Sequence, residues 1–334
     1  MTSAESSSRT SRTIDADSVR DIGGVGDTGN IGDTRAAGNA GDAGGANETP
    51  DAGAPRALPL WRRLSHHRLF MTGAVIVSLM LTLALLADFI QILPPEKMQT
   101  RLRFRTPDFR FPLGTDNYGR DIWSRLVHGA RLSLMIGFAV ALVTGIIGTT
   151  FGVLAGYFRR LDGPLMRLMD ALMAFPAILL AIAIAAALGP SAINAVIALS
   201  VVYTPRMARI VRSTVLVVRE TEYVQAAKAC GARAGSIIWH HVLPNSMAPL
   251  LVQLTFIFAY AILAEAILSF LGLGPPPPAP TWGNMIAEGK DYLREAPHIC
   301  LFPGIAVAMI CLGLNLLGDG LRDVLDPRLR VLHG

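Results

Sequence analysis

The sequence predicts an all-α membrane protein with six transmembrane helices and both termini in the cytoplasm. Three observations carry that expectation. Hydrophobic residues make up 51% of the 334-residue chain and charged residues only 16%, where a soluble domain carries about a quarter charged. The mean hydropathy is +0.43. The apolar residues are also gathered into long runs, and a helix rising about 1.5 Å per residue needs about 20 of them to cross a hydrocarbon core of about 30 Å.

The elements follow in order. Residues 1–59 form a tail rich in Gly, Ala and Asp, expected to be disordered because it cannot bury enough apolar surface to offset chain entropy. The first apolar run begins only near Leu69, too late for a signal peptide, so it is expected to stay as an anchor. The membrane domain then occupies residues 60–334. Residues 69–93 carry only Asp88 as a charge and residues 132–157 carry none. Residues 171–205 are uncharged but too long for one crossing, and the pair Gly189-Pro190 splits them into spans 171–188 and 191–207 joined by a tight hairpin. Residues 246–273 hold one charge, Glu265, and residues 299–318 hold none.

Basic residues orient these spans. With the N-terminus inside, the inner segments hold 16 Lys and Arg and the outer segments 10, eight of which lie in the stretch 97–131 and run against the rule. Residues 1–60 hold nine acids against five bases, a charge of −4, so with a net charge of +5 overall the apolar remainder carries +9. That is the pattern of bases flanking membrane spans in contact with lipid, not of a nucleic-acid surface. Cys230, Cys300 and Cys311 fall in no paired spacing and read as small buried hydrophobes.

The largest inner connection, about residues 208–245, reads as two short helices and a turn. Thr221 is placed to cap the first, and Gly231 suits the left-handed position that ends it. A second helix from about Gly235 to His241 is expected to stop before Leu243-Pro244, since proline disfavours helical geometry in the residue before it. Among charges within spans, Glu265 reads either as a lining of a path through the membrane or as an interhelical hydrogen bond that positions Ser269. Asp88 is expected at the interface, Pro275 to Pro278 as a stiff extended outer segment, and Trp282 as an interfacial anchor.

Gln225-Ala226-Ala227, Gly231 and Leu243-Pro244 together resemble the EAA loop of permease subunits in ATP-driven, binding-protein-dependent importers. Two positions depart from its pattern, Gln225 standing for Glu and His241 for Ile. The segment His241-Val242-Leu243-Pro244-Asn245 is similar to the dipeptide and oligopeptide branch. So are Gly114-Thr115-Asp116-Asn117-Tyr118-Gly119-Arg120-Asp121, the run Ser269-Phe270-Leu271-Gly272-Leu273-Gly274 with Trp282-Gly283-Asn284-Met285, and Gly318-Asp319-Gly320-Leu321-Arg322-Asp323 with Leu325-Asp326-Pro327-Arg328. The likeness extends from about Trp61 to Leu329.

This resemblance implies the type I importer permease fold in a bacterial cytoplasmic membrane. The chain would pair with a homologous second permease, two ATPase subunits and an extracytoplasmic binding protein, to import di- or oligopeptides. Nickel and glutathione importers share the motifs and form the nearest alternative; a proton-coupled transporter is a more distant one. Tyr223, Gln225, Ala226, Ala227, Gly231, His241, Leu243 and Pro244 would meet the ATPase, and Glu265 would belong to the translocation path. No cofactor is expected on this chain, with ATP and Mg residing on the partner ATPases. Consistent with that, the sequence holds no GxxxxGK[ST] run: Gly289-Lys290 is followed by Asp291 and lacks a glycine-rich lead-in.

Overall fold

The computed structural model describes residues 60–325, so the expected tail and residues 326–328 of the last motif lie outside the described residues. Helices α1 (Leu60–His66), α2 (Arg68–Leu85) and α3 (Ala87–Ile90) come first. The long α4 (Ile122–Tyr157) follows a loop, and then come α5 (Arg159–Met173), α6 (Ala177–Leu188) and α7 (Ala192–Val218). Short α8 (Glu222–Ala229) and α9 (Ala234–Ile237) lead into α10 (Leu243–Phe270), and α11 (Trp282–Gly289) and α12 (His298–Leu325) complete the order. Among the described residues there are no strands.

Four helical stretches are long and apolar enough to cross a membrane: α2, α4, the run Ala234–Phe270, and α12. Helices α5 and α6 meet at 89° and make a fifth if the bent pair is one span. The structure parts from a simple count of six at two places. Residues 171–188 end in α6, whose 12 residues rise only about 18 Å, because Pro176 keeps Phe175 out of helical geometry and the chain turns there. Residues 191–207 open the 27-residue α7, whose second half carries Arg206, Arg209 and Arg212 and leaves a short apolar part.

The hairpin between α6 and α7 forms at Gly189, which adopts φ +88°. Asn194 fastens it, its side-chain nitrogen donating to Leu188 O at 2.9 Å and Gly189 O at 3.0 Å. Helix α4 begins ten residues before the apolar run that announces it, since Asp121 caps it by accepting from Ser124 N at 3.0 Å. Its far half packs on α7 through Gly148, Gly152 and Gly156, one every fourth residue, the small-residue spacing that lets membrane helices approach closely. A Cβ on Gly152 would stand 2.6 Å from Ala208 O.

Cys230 is exposed, not a buried hydrophobe, because it follows the last turn of α8, and Cys300 and Cys311 are only partly buried. Three expectations about loops are also corrected. The helix that opens at Ala234 does not stop before Pro244: residues 238–242 form a π-turn, Leu243 N donates to Ile238 O, and the helix continues into α10. The wider turn accommodates the proline, and the Asn245 side chain donates to His241 O at 2.6 Å. Trp282 is 1% exposed and no interfacial anchor; its ring nitrogen donates to Leu126 O at 3.1 Å. The proline run bends through turns instead of extending, because Asn284 Nδ2 donates to Pro275 O at 2.8 Å and folds it onto α11.

Candidate functional site

The connection between α7 and α10 is built as an exposed ridge on buried posts. Val224 in α8, Ile237 in α9 and Val242 in the π-turn are almost fully buried, packed with Val211, Val215 and Val218 of α7 and Val153 of α4. Burying three apolar side chains from so short a segment fixes it to the two long helices. Between the posts, Tyr223, Gln225, Ala226 and Gly231 are exposed, while Ala227 is half-buried. Gly231 sits at φ +80°. Its N–H donates to Lys228 O at 3.0 Å and that of Ala232 to Ala227 O at 3.1 Å, the paired bonds of a Schellman end.

Thr221 stands at the N-cap position without capping: its hydroxyl donates back to Val218 O at 2.6 Å. Glu222 in the first turn and Lys228 in the last complement the dipole of α8 instead. Gln225 stays exposed while its Nε2 donates to Arg219 O at 3.0 Å. The fold brings Tyr223 and His241 together, ring centres 6.0 Å apart. Leu243 packs with the buried posts, and Pro244 lies exposed in the first turn of α10. Beside the ridge, Arg159, Arg160, Arg219 and Lys228 line a basic cleft. Arg219 is held there by bonds to Gly156 O at 2.8 Å and Glu220 at 2.9 Å. Arg212 clasps Asp162 of α5 through two bonds of 2.5 and 2.6 Å. That hydrogen bonding holds the Asp162 carboxyl below its usual range.

Glu265 lies apart from this ridge, near the opposite end of α10, with no exposed surface. Its carboxylate accepts from Ser133 Oγ of α4 at 3.1 Å and Ser269 Oγ at 2.6 Å. Ser133 Oγ in turn accepts from Trp282 N at 3.4 Å, so one carboxylate links α4, α10 and the start of α11. Asp88 is exposed and pairs with Arg131 at 3.1 Å and His128 at 3.2 Å.

The base-rich stretch 97–131 contains a feature that charge counting misses. Arg120 and Arg125 are each 2% exposed. Both meet the Asp116 carboxylate at 2.6 Å, and both reach Glu288 of α11, Arg125 at 2.6 Å. Two cations and two anions thus form a closed cluster that ties the loop to α4 and α11. Asp116 also accepts from Tyr118 N at 2.8 Å and Arg120 N at 2.9 Å, which folds the Gly114 to Asp121 motif around it. With Arg131 on Asp88 and Arg105 on Asp108, half of the eight bases in this stretch are matched by acids, which weakens their force as topology signals.

With this geometry in place, known proteins offer close parallels. Residues 148–331 match the family described as binding-protein-dependent transport system inner membrane component, and residues 60–107 match the N-terminal TM domain of oligopeptide transport permease C. A putative peptide transport system permease protein of Brucella abortus is 53% identical over 282 residues, 84% of this chain and 95% of the relative. The dipeptide transport system permease protein of Alkalihalophilus pseudofirmus is 43% identical over 289 residues, 85% and 95% of the two chains. The glutathione transport system permease protein of Pectobacterium atrosepticum is 39% identical over 272 residues, 81% and 90% of the two. Among solved structures, the MetNI methionine ABC transporter in inward facing conformations has a chain that shares the fold, with TM-score 0.51 at 20% identity over 60% of this chain and 96% of that one.

Proposed function

The chain belongs to the binding-protein-dependent transport system inner membrane component family, and from that premise we propose that it is one of two related permeases forming the path for di- or oligopeptides in an ATP-driven importer. It is a multi-pass inner-membrane protein. The observation that carries the coupling role is the exposed ridge of Tyr223, Gln225, Ala226 and Gly231 standing on the buried posts Val224, Ile237 and Val242. A force applied to such a ridge by a partner ATPase passes directly into α4, α7 and α10. Small side chains at Ala226, Ala227 and Gly231 admit a close partner surface, and Tyr223, His241, Leu243 and Pro244 shape its edge.

In this reading both termini are cytoplasmic and six helices cross. The apolar half of α7 lies in the membrane, its arginine half projects beyond it, and the short α6 is completed by the turn before it. Glu265 serves the translocation path by holding the outer end of α10 to α4 and α11. ATP and Mg act on partner subunits, and an extracytoplasmic binding protein selects the peptide. The test is uptake of a labelled dipeptide in cells lacking this gene, resupplied with the chain at matched abundance. Uptake that is restored, and then lost when ATP is depleted with the proton gradient maintained, supports the reading. Uptake that follows the proton gradient refutes it, and restored uptake of glutathione or nickel in place of the dipeptide redirects the substrate.

A further inference from the structure

The loop before α4 carries a second surface, built on top of the buried Asp116 cluster. Residues 99–105 run antiparallel beside 115–118: Gln99 N donates to Tyr118 O at 3.1 Å, Phe104 N to Asp116 O at 3.2 Å and Arg105 N to Thr115 Oγ1 at 3.0 Å. Thr115, Asp116 and Asn117 are buried, while Arg101 and Arg103 are exposed. The turn at residues 108–111 closes by two backbone bonds of 2.9 Å between Asp108 and Phe111, and Pro107 and Pro112, each with φ fixed by its ring, bracket it. Asp108 ties this turn to Arg105 at 3.8 Å. Phe111 is fully buried, whereas Phe109 is fully exposed beside an exposed Arg110. Among the described residues Arg101, Arg103 and Arg110 make no ion pair, unlike Arg105 between them. Two of the three are nonetheless held in place, Arg103 Cζ lying 5.4 Å from the Phe104 ring and Arg110 Cζ 5.7 Å from the Phe111 ring. Ile122 N donates to Gly114 O at 3.2 Å, joining the loop to the tip of α4. That tip lies nine residues, about 14 Å of helix, from Arg131, whose pairing with Asp88 marks the edge of the first span.

We infer that Arg101, Arg103, Phe109 and Arg110 form a docking surface for the extracytoplasmic binding protein, which meets them with an acidic patch and an apolar recess for the Phe109 ring. The inference rests on the reading of the chain as a binding-protein-dependent permease and adds the surface and its chemistry. An acidic partner is called for because three cations on a fixed frame have no anion opposite them, and complementary charge both steers an encounter and sets its register. A protein is called for because an exposed aromatic ring beside ordered arginines is the composition of an interface hot spot. The loop is also joined to the fold beyond the edge of the span, within reach of a soluble partner.

The experiment begins in intact cells carrying the full chain with Phe109→benzoylphenylalanine, a photo-crosslinking substitution. Irradiation is expected to join position 109 to an extracytoplasmic peptide-binding protein, with the adduct mapped by mass spectrometry beside an acidic patch. That protein, purified, is then titrated into labelled-dipeptide uptake by right-side-out vesicles energised with internal ATP. Phe109→Ala is expected to raise its half-saturating concentration about tenfold at unchanged maximal uptake. The triple change Arg101→Gln, Arg103→Gln and Arg110→Gln is expected to do the same at about 0.05 M salt and to match wild type at about 0.5 M, where screening shortens to about 4 Å. Lys at all three positions keeps the charge and should keep most of the affinity. A structural defect would instead lower maximal uptake at every salt concentration. Adducts with phospholipid alone, with a second permease alone or with nothing overturn the inference, and so do variants that titrate as wild type. Dipeptide uptake by the wild-type chain with any of those results removes the docking surface and leaves the permease reading intact, whereas no dipeptide uptake by wild-type cells removes that reading and the inference with it.

Discussion

Gly231 separates a conformational requirement from a docking requirement. It adopts φ +80°, where an L-residue costs about 1–2 kcal/mol and Asn somewhat less. A Cβ added there meets no atom within 4 Å, so the chain itself places no steric limit on the side chain. Gly231→Ala and Gly231→Trp therefore carry about the same folding cost, confined to a turn whose posts, Val224 and Ile237, are untouched. Any difference between them in transport measures how closely a partner approaches. If the ridge enters a partner cleft, an indole at this position overpacks it by about 1–3 kcal/mol, a fall in coupling of roughly fivefold to 150-fold. The assay is dipeptide uptake and transport-linked ATPase activity for Ala, Asn and Trp at position 231, normalised to membrane abundance. Asn and Ala are expected near wild type, with Trp folded but uncoupled. Wild-type transport by the Trp variant refutes the docking argument, and equal losses in Ala and Trp assign the effect to backbone geometry alone.

Three further outcomes follow from the packing and charge arrangement. Arg125→Met leaves Asp116 and Glu288 sharing one cation, and breaking such a buried group costs about 3–5 kcal/mol; thermal unfolding of the purified protein should shift down, and adding Glu288→Met should recover much of the loss by rebalancing the cluster. Gly152→Leu drives a side chain into Ala208 O and Val211 and should sharply reduce folded membrane abundance, while Gly163→Leu, whose Cβ position is open, should not. The Asp162 carboxyl titrates below its unfolded range because Arg212 hydrogen-bonds it. Its contribution is therefore complete above about pH 4 and lost as pH falls through the lowered folded value. The melting difference between wild type and Asp162→Asn should hold steady from pH 6 to 8 and vanish in acid.

What could be read from the sequence divides along a physical line. Local signals were legible: the left-handed turn at Gly231, the Gly189 hairpin and the long apolar helices each depend on residues within a few positions of one another, and each appears as expected. Partners distant in sequence were not. The fate of Arg120 and Arg125 turns on Glu288, more than 160 residues away, so a charge count along the chain sees excess bases where the fold has a balanced cluster. Trp282 misleads in the same manner, because an aromatic residue after an apolar run resembles an interfacial anchor until Leu126 O and the core around it are in place. One signal within reach was the spacing of Gly148, Gly152 and Gly156, which marks the face of α4 that α7 covers. Pro244 shows the opposite case, a local rule overruled: the π-turn at 238–242 carries the helix past it because α10 must stay continuous with the post formed by Val242. That continuity places the Val242 post and Glu265 on one unbroken helical run, Ala234–Phe270, so the two are joined without an intervening loop.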